Sequence, residues 1–292
     1  MNTEIILKKY QFIEKIGQGS FGVVYKGIIL KTQEIIAIKT ETRICKPSFL
    51  KNETVILNYL NKEKCKGVPL VYWYGLHKIE GSEGIKCLII TFYQCSLTSI
   101  FRNIRDTENN SKDVLNHILF IFSQMIEIVE AIHERMVIHR DVKPENFMYS
   151  NKQIFLIDYG MADFFDPDLI DDNQKKNDYI IGTPNYVSVF VHSGMQPTRR
   201  DDLISLAYVF LFYYLFLKRE TLEWTKPFIE FEKIDEPTNT IRSRKNIYIM
   251  DKKKQLYEAV RLSSSANIED DIVFQKIKRF LILSHCEISY FL

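Results

Sequence analysis

One stretch constrains this chain more than any other: Val137-Ile138-His139-Arg140-Asp141-Val142-Lys143-Pro144-Glu145-Asn146. It sets a carboxylate, an ammonium two residues on and a carboxamide five residues on, in a loop punctuated by proline. Further along, the short apolar run Ile154-Phe155-Leu156-Ile157 delivers Asp158-Tyr159-Gly160. These residue types at this spacing suit phosphoryl transfer. Asp141 can orient a hydroxyl and accept its proton. Lys143 can neutralise charge on the group in flight. Asn146 and Asp158 offer the oxygen donors that Mg2+ prefers. A polar loop with chance spacing is the competing explanation, and it weakens as the surrounding chain agrees.

Gly17-Gln18-Gly19-Ser20-Phe21-Gly22 contains GxGxxG. Two architectures use this spacing. In one the glycines open a helix that holds a pyrophosphate. In the other they form a hairpin turn over the phosphates of ATP. The residues after the last glycine are Val23-Val24-Tyr25 and then Ile28-Ile29-Leu30, which read as a strand. That favours the hairpin, with Gly17, Gly19, Ser20 and Gly22 against the phosphates, and disfavours a nucleotide-dependent dehydrogenase. Lys39 then ends the apolar strand Ile36-Ala37-Ile38. The segment from about Ser48 to Asn61 reads as a helix whose apolar stripe is Phe49, Ile56 and Leu60, with Leu50 and Leu57 beside it. Its sole acid, Glu53, falls on that stripe. An inward carboxylate is costly unless paired, so Lys39 is its expected partner and a ligand of the ATP phosphates. A helix rotated to turn Glu53 to solvent is the alternative.

The 292 residues, 46% hydrophobic, can bury a sizeable core, and a net charge of +2 gives no reason to expect nucleic acid or a membrane as the main partner. Five cysteines without CxxC spacing suggest reduced thiols in an intracellular compartment, cytoplasmic or nuclear, and no zinc site. Met1–Tyr10 is too poor in apolar length for a signal peptide. Leu203–Leu217 is almost wholly apolar but short for a bilayer, so it is expected to be a buried helix. Oligomeric state leaves no trace in the sequence.

Strands are expected at 10–16, 23–30, 35–40, 70–76 and 86–92, and helices at 114–134, 203–217 and within 255–284. The expected fold class is α+β and bilobal: one domain over 1–292, with a small β-rich N-lobe (1–92) carrying one key helix, and a larger, mainly α-helical C-lobe (93–292).

With these residues placed, the chain resembles the casein kinase I family of serine/threonine protein kinases from about Tyr10 to Leu217. The most particular elements are Gly182-Thr183-Pro184-Asn185-Tyr186-Val187-Ser188 and Thr198-Arg199-Arg200-Asp201-Asp202-Leu203. Tyr159 stands where the usual D-F-G has phenylalanine, and Lys143 stands where serine/threonine rather than tyrosine kinases have lysine. The resemblance implies ATP and Mg2+ as cofactors and protein substrates bearing Ser or Thr. It implies Ile90 as gatekeeper, Thr91 to Tyr93 as hinge, and Ile16, Val24 and Ala37 above adenine with Met148 below. It implies that Asp202 anchors the catalytic loop; a carboxylate starting an apolar helix also suits an N-cap and the helix dipole.

The chain also departs from that family. Asn185 and Asp178 stand where members have basic residues, and Asp163, Asp166, Asp168, Asp171 and Asp172 face only Lys175 and Lys176. A preference for acidic or phosphorylated substrates is therefore expected to weaken. Between Ala162 and Ile181 there is no Ser or Thr, so activity without activation-loop phosphorylation is expected. The resemblance fades beyond Leu217, and Leu292 falls near where members begin a last helix, so a shortened C-lobe is expected. Basic residues at 242–254 read as a solvated loop. A scaffold-type pseudokinase is the runner-up; it usually lacks one of the residues matched here by Lys39, Asp141, Asn146 and Asp158.

Overall fold

The apolar residues of the first ninety positions sort onto opposite faces of strands, and a single sheet results. The computed structural model describes residues 5–19, 22–41, 48–77, 84–107, 111–166, 180–217 and 219–222, with only the backbone for 111–119. Six strands lie in the order β1-β2-β3-β4-β6-β5: β1 (Ile5–Ile6), β2 (Tyr10–Gln18), β3 (Gly22–Ile29), β4 (Ile35–Glu41), β5 (Val71–His77) and β6 (Ile85–Thr91). All neighbours pair antiparallel.

Because side chains alternate along a strand, β4 serves two purposes. Ile36 and Ile38 enter a cluster with Ile6, Tyr10, Ile29, Cys87 and Ile89, all buried. Ala37 and Lys39 therefore point to the other face. Register places Val24 and Leu88 beside Lys39, and Ile90 beside Ala37, on that same face.

Helix α1 (Phe49–Lys62) begins where expected. Ser48 caps it, its hydroxyl accepting the Lys51 N–H. Leu50, Ile56, Leu57 and Leu60 are buried and each contributes about 1.5–3 kcal/mol. Glu53 is buried with them, at 2% exposure, so the rotated alternative is excluded.

After β6 most residues in the described elements are helical, although short strands recur: β7 (Cys95–Ser96), α2 (Leu97–Thr107), α3 (Ser111–Glu134), β8 (Val137–Ile138), β9 (Phe147–Ser150), β10 (Gln153–Leu156), β11 (Asp163–Phe164), α4 (Val189–His192) and α5 (Arg199–Leu217). Strands β10, β9 and β7 form a small sheet, and β8 pairs with β11. The chain divides into two compact units that interleave in sequence: one of 1–100, 123–139 and 145–164, the other of 101–122, 140–144 and 165–292.

In the second unit α5 is buried along most of its length, with Tyr213 stacked on Phe101 at 4.1 Å between centroids. No helix among the described residues is long and apolar enough to cross a membrane. The helix starts at Arg199 rather than 203. This corrects the cap assignment for Asp202, which lies inside the first turn. Thr198, just before the helix, donates its N–H to Asp201 at 2.8 Å, the backbone half of a capping box, and its hydroxyl donates to the same carboxylate at 3.0 Å. The helix expected within 255–284 and the basic loop at 242–254 lie outside the described residues.

Candidate active site

One cluster forms in the first unit around Lys39. Its Nζ lies 2.7 Å from Glu53 Oε1 and 3.3 Å from Asp158 Oδ1. Lysine and glutamate arrive from opposite directions: β4 turns Lys39 away from the hydrophobic cluster, and α1 turns Glu53 inward along its apolar stripe. Burial alone would depress the Lys39 ammonium, but the two carboxylates outweigh it and hold its pKa well above the usual lysine range. Glu53 is pushed up, chiefly by burial and further by Asp158, with Lys39 opposing. The Tyr159 backbone N–H also donates to Glu53.

Asp158 sits at the end of the β9–β10 hairpin. Leu156 pairs with Phe147, and the next rung is Ile157 N–H to Asn146 O at 2.9 Å. Asn146 and Asp158 thus flank the same end of one hairpin. His139 supports that end, buried, with Nε2 3.1 Å from Ile157 O. Tyr159 is fully buried and meets the His139 ring edge-on at 4.8 Å. Asp158 has φ 71° and ψ 67°, the left-handed region, and its side chain stays 47% exposed.

The glycine-rich segment is a hairpin turn between β2 and β3, closed by Gly19 N–H to Gly22 O at 2.9 Å. A Cβ on Gly22 would strike Thr40 O at 1.8 Å, so packing itself requires glycine there. Gly17 and Gly19 have open space where a Cβ would stand, nearest Val24 Cβ at 3.9 Å from Gly17 and nothing within 4 Å of Gly19. Among the described residues no neighbour demands those two glycines; they leave the backbone bare for a ligand to approach. Ser20 lies outside the described residues.

Gly17 pairs with Val24 and Val24 with Lys39 in one row across the sheet, and Ala37 pairs with Ile90 in the row two residues along β4. Ile16 is 47% exposed at a bulge beside Gly17. Met148, half-buried on β9, pairs with Ser96. Thr91, expected at the hinge, is tied to Leu70 by its N–H (3.1 Å) and by its hydroxyl, which accepts the Leu70 N–H (3.0 Å).

A second cluster forms in the second unit around Asp141, 7% exposed. Lys143 Nζ donates to Asp141 Oδ2 at 2.6 Å, and the Thr183 hydroxyl donates to Oδ1 at 2.6 Å. Lys143 also donates to Thr183 Oγ1 at 3.1 Å, closing a triangle. The loop entering it is held by Asp202, whose Oδ1 accepts the Arg140 N–H at 2.8 Å. Asp201 is paired with Ser188 and Arg200.

Two contributors carried no local signal: Thr183, marked only as part of a family segment, and Asn52, whose Nδ2 donates to Gly160 O at 3.1 Å and Ala162 O at 2.8 Å. Only long-range contact reveals either.

Oxygen donors at Asn146 and Asp158 suit a hard cation such as Mg2+, and the exposed part of the Asp158 carboxylate leaves room for one. Among the described residues no group of three or more His, Cys, Asp or Glu is placed to hold a metal by itself, so a cation here would draw on the amide oxygen and on its substrate's phosphates as well.

The family model described as the protein kinase domain matches residues 10–268, most of the chain. A hairpin of glycines, a lysine clasped by an inward glutamate and a carboxylate set beside an ammonium are what that family's chemistry requires, and the chain belongs to the protein kinase family.

Proposed function

We propose that this kinase transfers the γ-phosphoryl group of ATP to serine or threonine hydroxyls of proteins, in the manner of the casein kinase I family, and does so without phosphorylation of its activation segment. The observation that carries the reading is Lys39 held between Glu53 and Asp158. A protein that had abandoned catalysis would be under no pressure to keep one part-buried ammonium charged between two carboxylates, since such clusters rarely increase stability.

In this reading Lys39 binds the α- and β-phosphates, and Glu53 fixes its direction. Asp158 and Asn146 hold Mg2+, which supplies charge neutralisation across the phosphates when bound. Val24, Ala37, Ile90 and Met148 contact adenine. Asp141 directs the incoming hydroxyl. That oxygen bonds to Pγ, the bond from Pγ to the bridging β,γ oxygen breaks, and the hydroxyl proton passes to Asp141. Lys143 and Thr183 hold the Asp141 carboxylate in one orientation, and Lys143 faces the transferring group. Positioning and charge account for most of the rate in this chemistry.

Lys143 and Thr183 together around Asp141 support hydroxyl substrates of the serine/threonine kind. The absence of Ser and Thr between Ala162 and Ile181 supports independence from phosphorylation there.

Transfer of radiolabelled phosphate to casein and to a basic protein tests the reading. Wild type labels Ser or Thr. Asp141→Asn loses about three orders of magnitude in turnover while still binding ATP. Wild type that binds nucleotide without transferring phosphate would instead be a scaffold.

A further inference from the structure

Asn52 stands next to Glu53 on α1, and its amide donates to two backbone oxygens, Gly160 O at 3.1 Å and Ala162 O at 2.8 Å. Those carbonyls lie in and just after the 3-10 turn Tyr159–Met161, which closes with Ala162 N–H on Tyr159 O at 3.1 Å. Carbonyls at the end of such a turn have no partner within it and need one from elsewhere. One side chain from α1 therefore caps a turn about a hundred residues away in the chain. The packing is close: a Cβ added to Gly160 would touch Phe49 Cβ at 3.5 Å.

The residue just before that turn is Asp158, in the left-handed region. A residue with a Cβ disfavours this conformation and keeps it only where its surroundings over-determine it. On the entry side the Ile157–Asn146 hydrogen bond does so. On the exit side the turn is held by Asn52 and, beyond it, by Asp163 and Phe164 pairing with Ile138 and Val137.

We propose that Asn52 is a positioning residue for Asp158: its amide clamps the turn after Asp158 to the helix that carries Glu53, so that both partners of Lys39 move as one body. The proposal rests on Asp158 being the metal ligand described above. The clamp is neutral, so unlike the Lys39–Glu53 pair it does not depend on protonation or salt. It also supplies from within the first unit a restraint on the Asp158 turn that needs no phosphate.

The test uses the full chain with Asn52→Asp, nearly isosteric but turning an acceptor toward two carbonyl oxygens, and Asn52→Ala as the second variant. Hydrogen exchange is read over 158–163 and over 203–217, and Mg-ADP affinity by calorimetry. The expected result is exchange over 158–163 faster by about tenfold or more, the size for two lost hydrogen bonds, with 203–217 unchanged. Mg-ADP binding weakens about tenfold, and the KM for Mg-ATP rises while that for peptide does not. Unchanged exchange over 158–163, or an equal rise over 203–217, overturns the proposal; the second outcome is plain destabilisation. If Asn52→Asp does not fold, the same readings on Asn52→Ala decide. Wild type without phosphate transfer would refute the proposed function, while the exchange comparison still decides the role of Asn52.

Discussion

The Thr183 hydroxyl donates to Asp141 Oδ1 at 2.6 Å, across 42 residues of chain. With Lys143 on the other oxygen, the carboxylate cannot rotate without losing a charge-assisted hydrogen bond. Thr183→Val keeps the shape and removes the hydroxyl. It should lower kcat by about a hundredfold, the cost of a small misplacement of a reacting group, and leave the KM for ATP nearly unchanged. Thr183→Ser should stay within a few-fold of wild type. Steady-state transfer to a peptide, with thermal melting as the fold control, checks both.

The loop that carries Asp141 depends on two backbone contacts in the same unit. Gly182 has φ 100°, and a Cβ there would lie 2.4 Å from Arg140 O. Gly182→Ala should therefore cost about 1–3 kcal/mol from the backbone conformation alone, with the clash added. Asp202→Ala removes the side-chain acceptor of the Arg140 N–H, a loss of about 1–3 kcal/mol for a part-buried hydrogen bond. Asp202→Asn keeps an acceptor oxygen and should lose less. Denaturant unfolding ranks the three; an Asp202→Asn as unstable as Asp202→Ala would contradict the assigned contact.

Substrate preference follows from charge. Asp163 and Asp166 are exposed, and Asn185 gives no cation where the resemblance expects one. The remaining acids of this segment, Asp168, Asp171 and Asp172, and its Lys175, Lys176, Asp178 and Tyr179 lie outside the described residues. An acidic or phosphorylated peptide should gain little from binding here. On a peptide array, phosphoserine upstream of the target should raise the rate by less than a few-fold, and Asn185→Arg should increase that response. A strong phosphoserine preference in wild type would refute this.

Periodicity carried much of the fold. The α1 stripe gave the helix within a residue at its start and turned Glu53 inward, and five strands fall within two residues of their expected ends. Helix α2 was not expected: Leu97, Ile100, Phe101 and Ile104 have helical spacing, but the polar residues between them obscure it. Strand β1 was not, because two residues have no period; it exists because Ile6 fills the cluster around Tyr10. The start of α5 was set too late because Arg199 to Asp202 look like a solvated approach. The two aspartates are in fact buried, each with partners that sequence spacing does not reveal. For the site, spacing isolated the charged residues, since charge is rarely buried without purpose. Asn52 and Thr183 were invisible for the converse reason: a neutral polar side chain on a helix or turn ordinarily faces water.

The Lys39 cluster sets one ammonium against two carboxylates, and its titration follows from that excess of negative charge. Lys39 is raised above its ordinary 10.5, so its contribution to stability is complete below that pH and is lost only as pH climbs through the folded value. It therefore adds no slope near neutrality. Glu53 is raised above its ordinary 4.5 by burial and by Asp158. The folded protein then holds the Glu53 proton more tightly than the unfolded chain does. Stability should fall as pH rises from about 4.5 through the folded value, and level off above it. Glu53→Gln removes that slope, so its unfolding free energy should gain on wild type across this window and run parallel beyond. Asp158→Asn takes away a negative charge that raises both neighbours, and should lower the midpoints of Glu53 and Lys39 together. Carboxyl-detected NMR of Glu53 measures the first directly. A wild-type midpoint below 4.5, or one that rises in Asp158→Asn, would contradict the cluster described here.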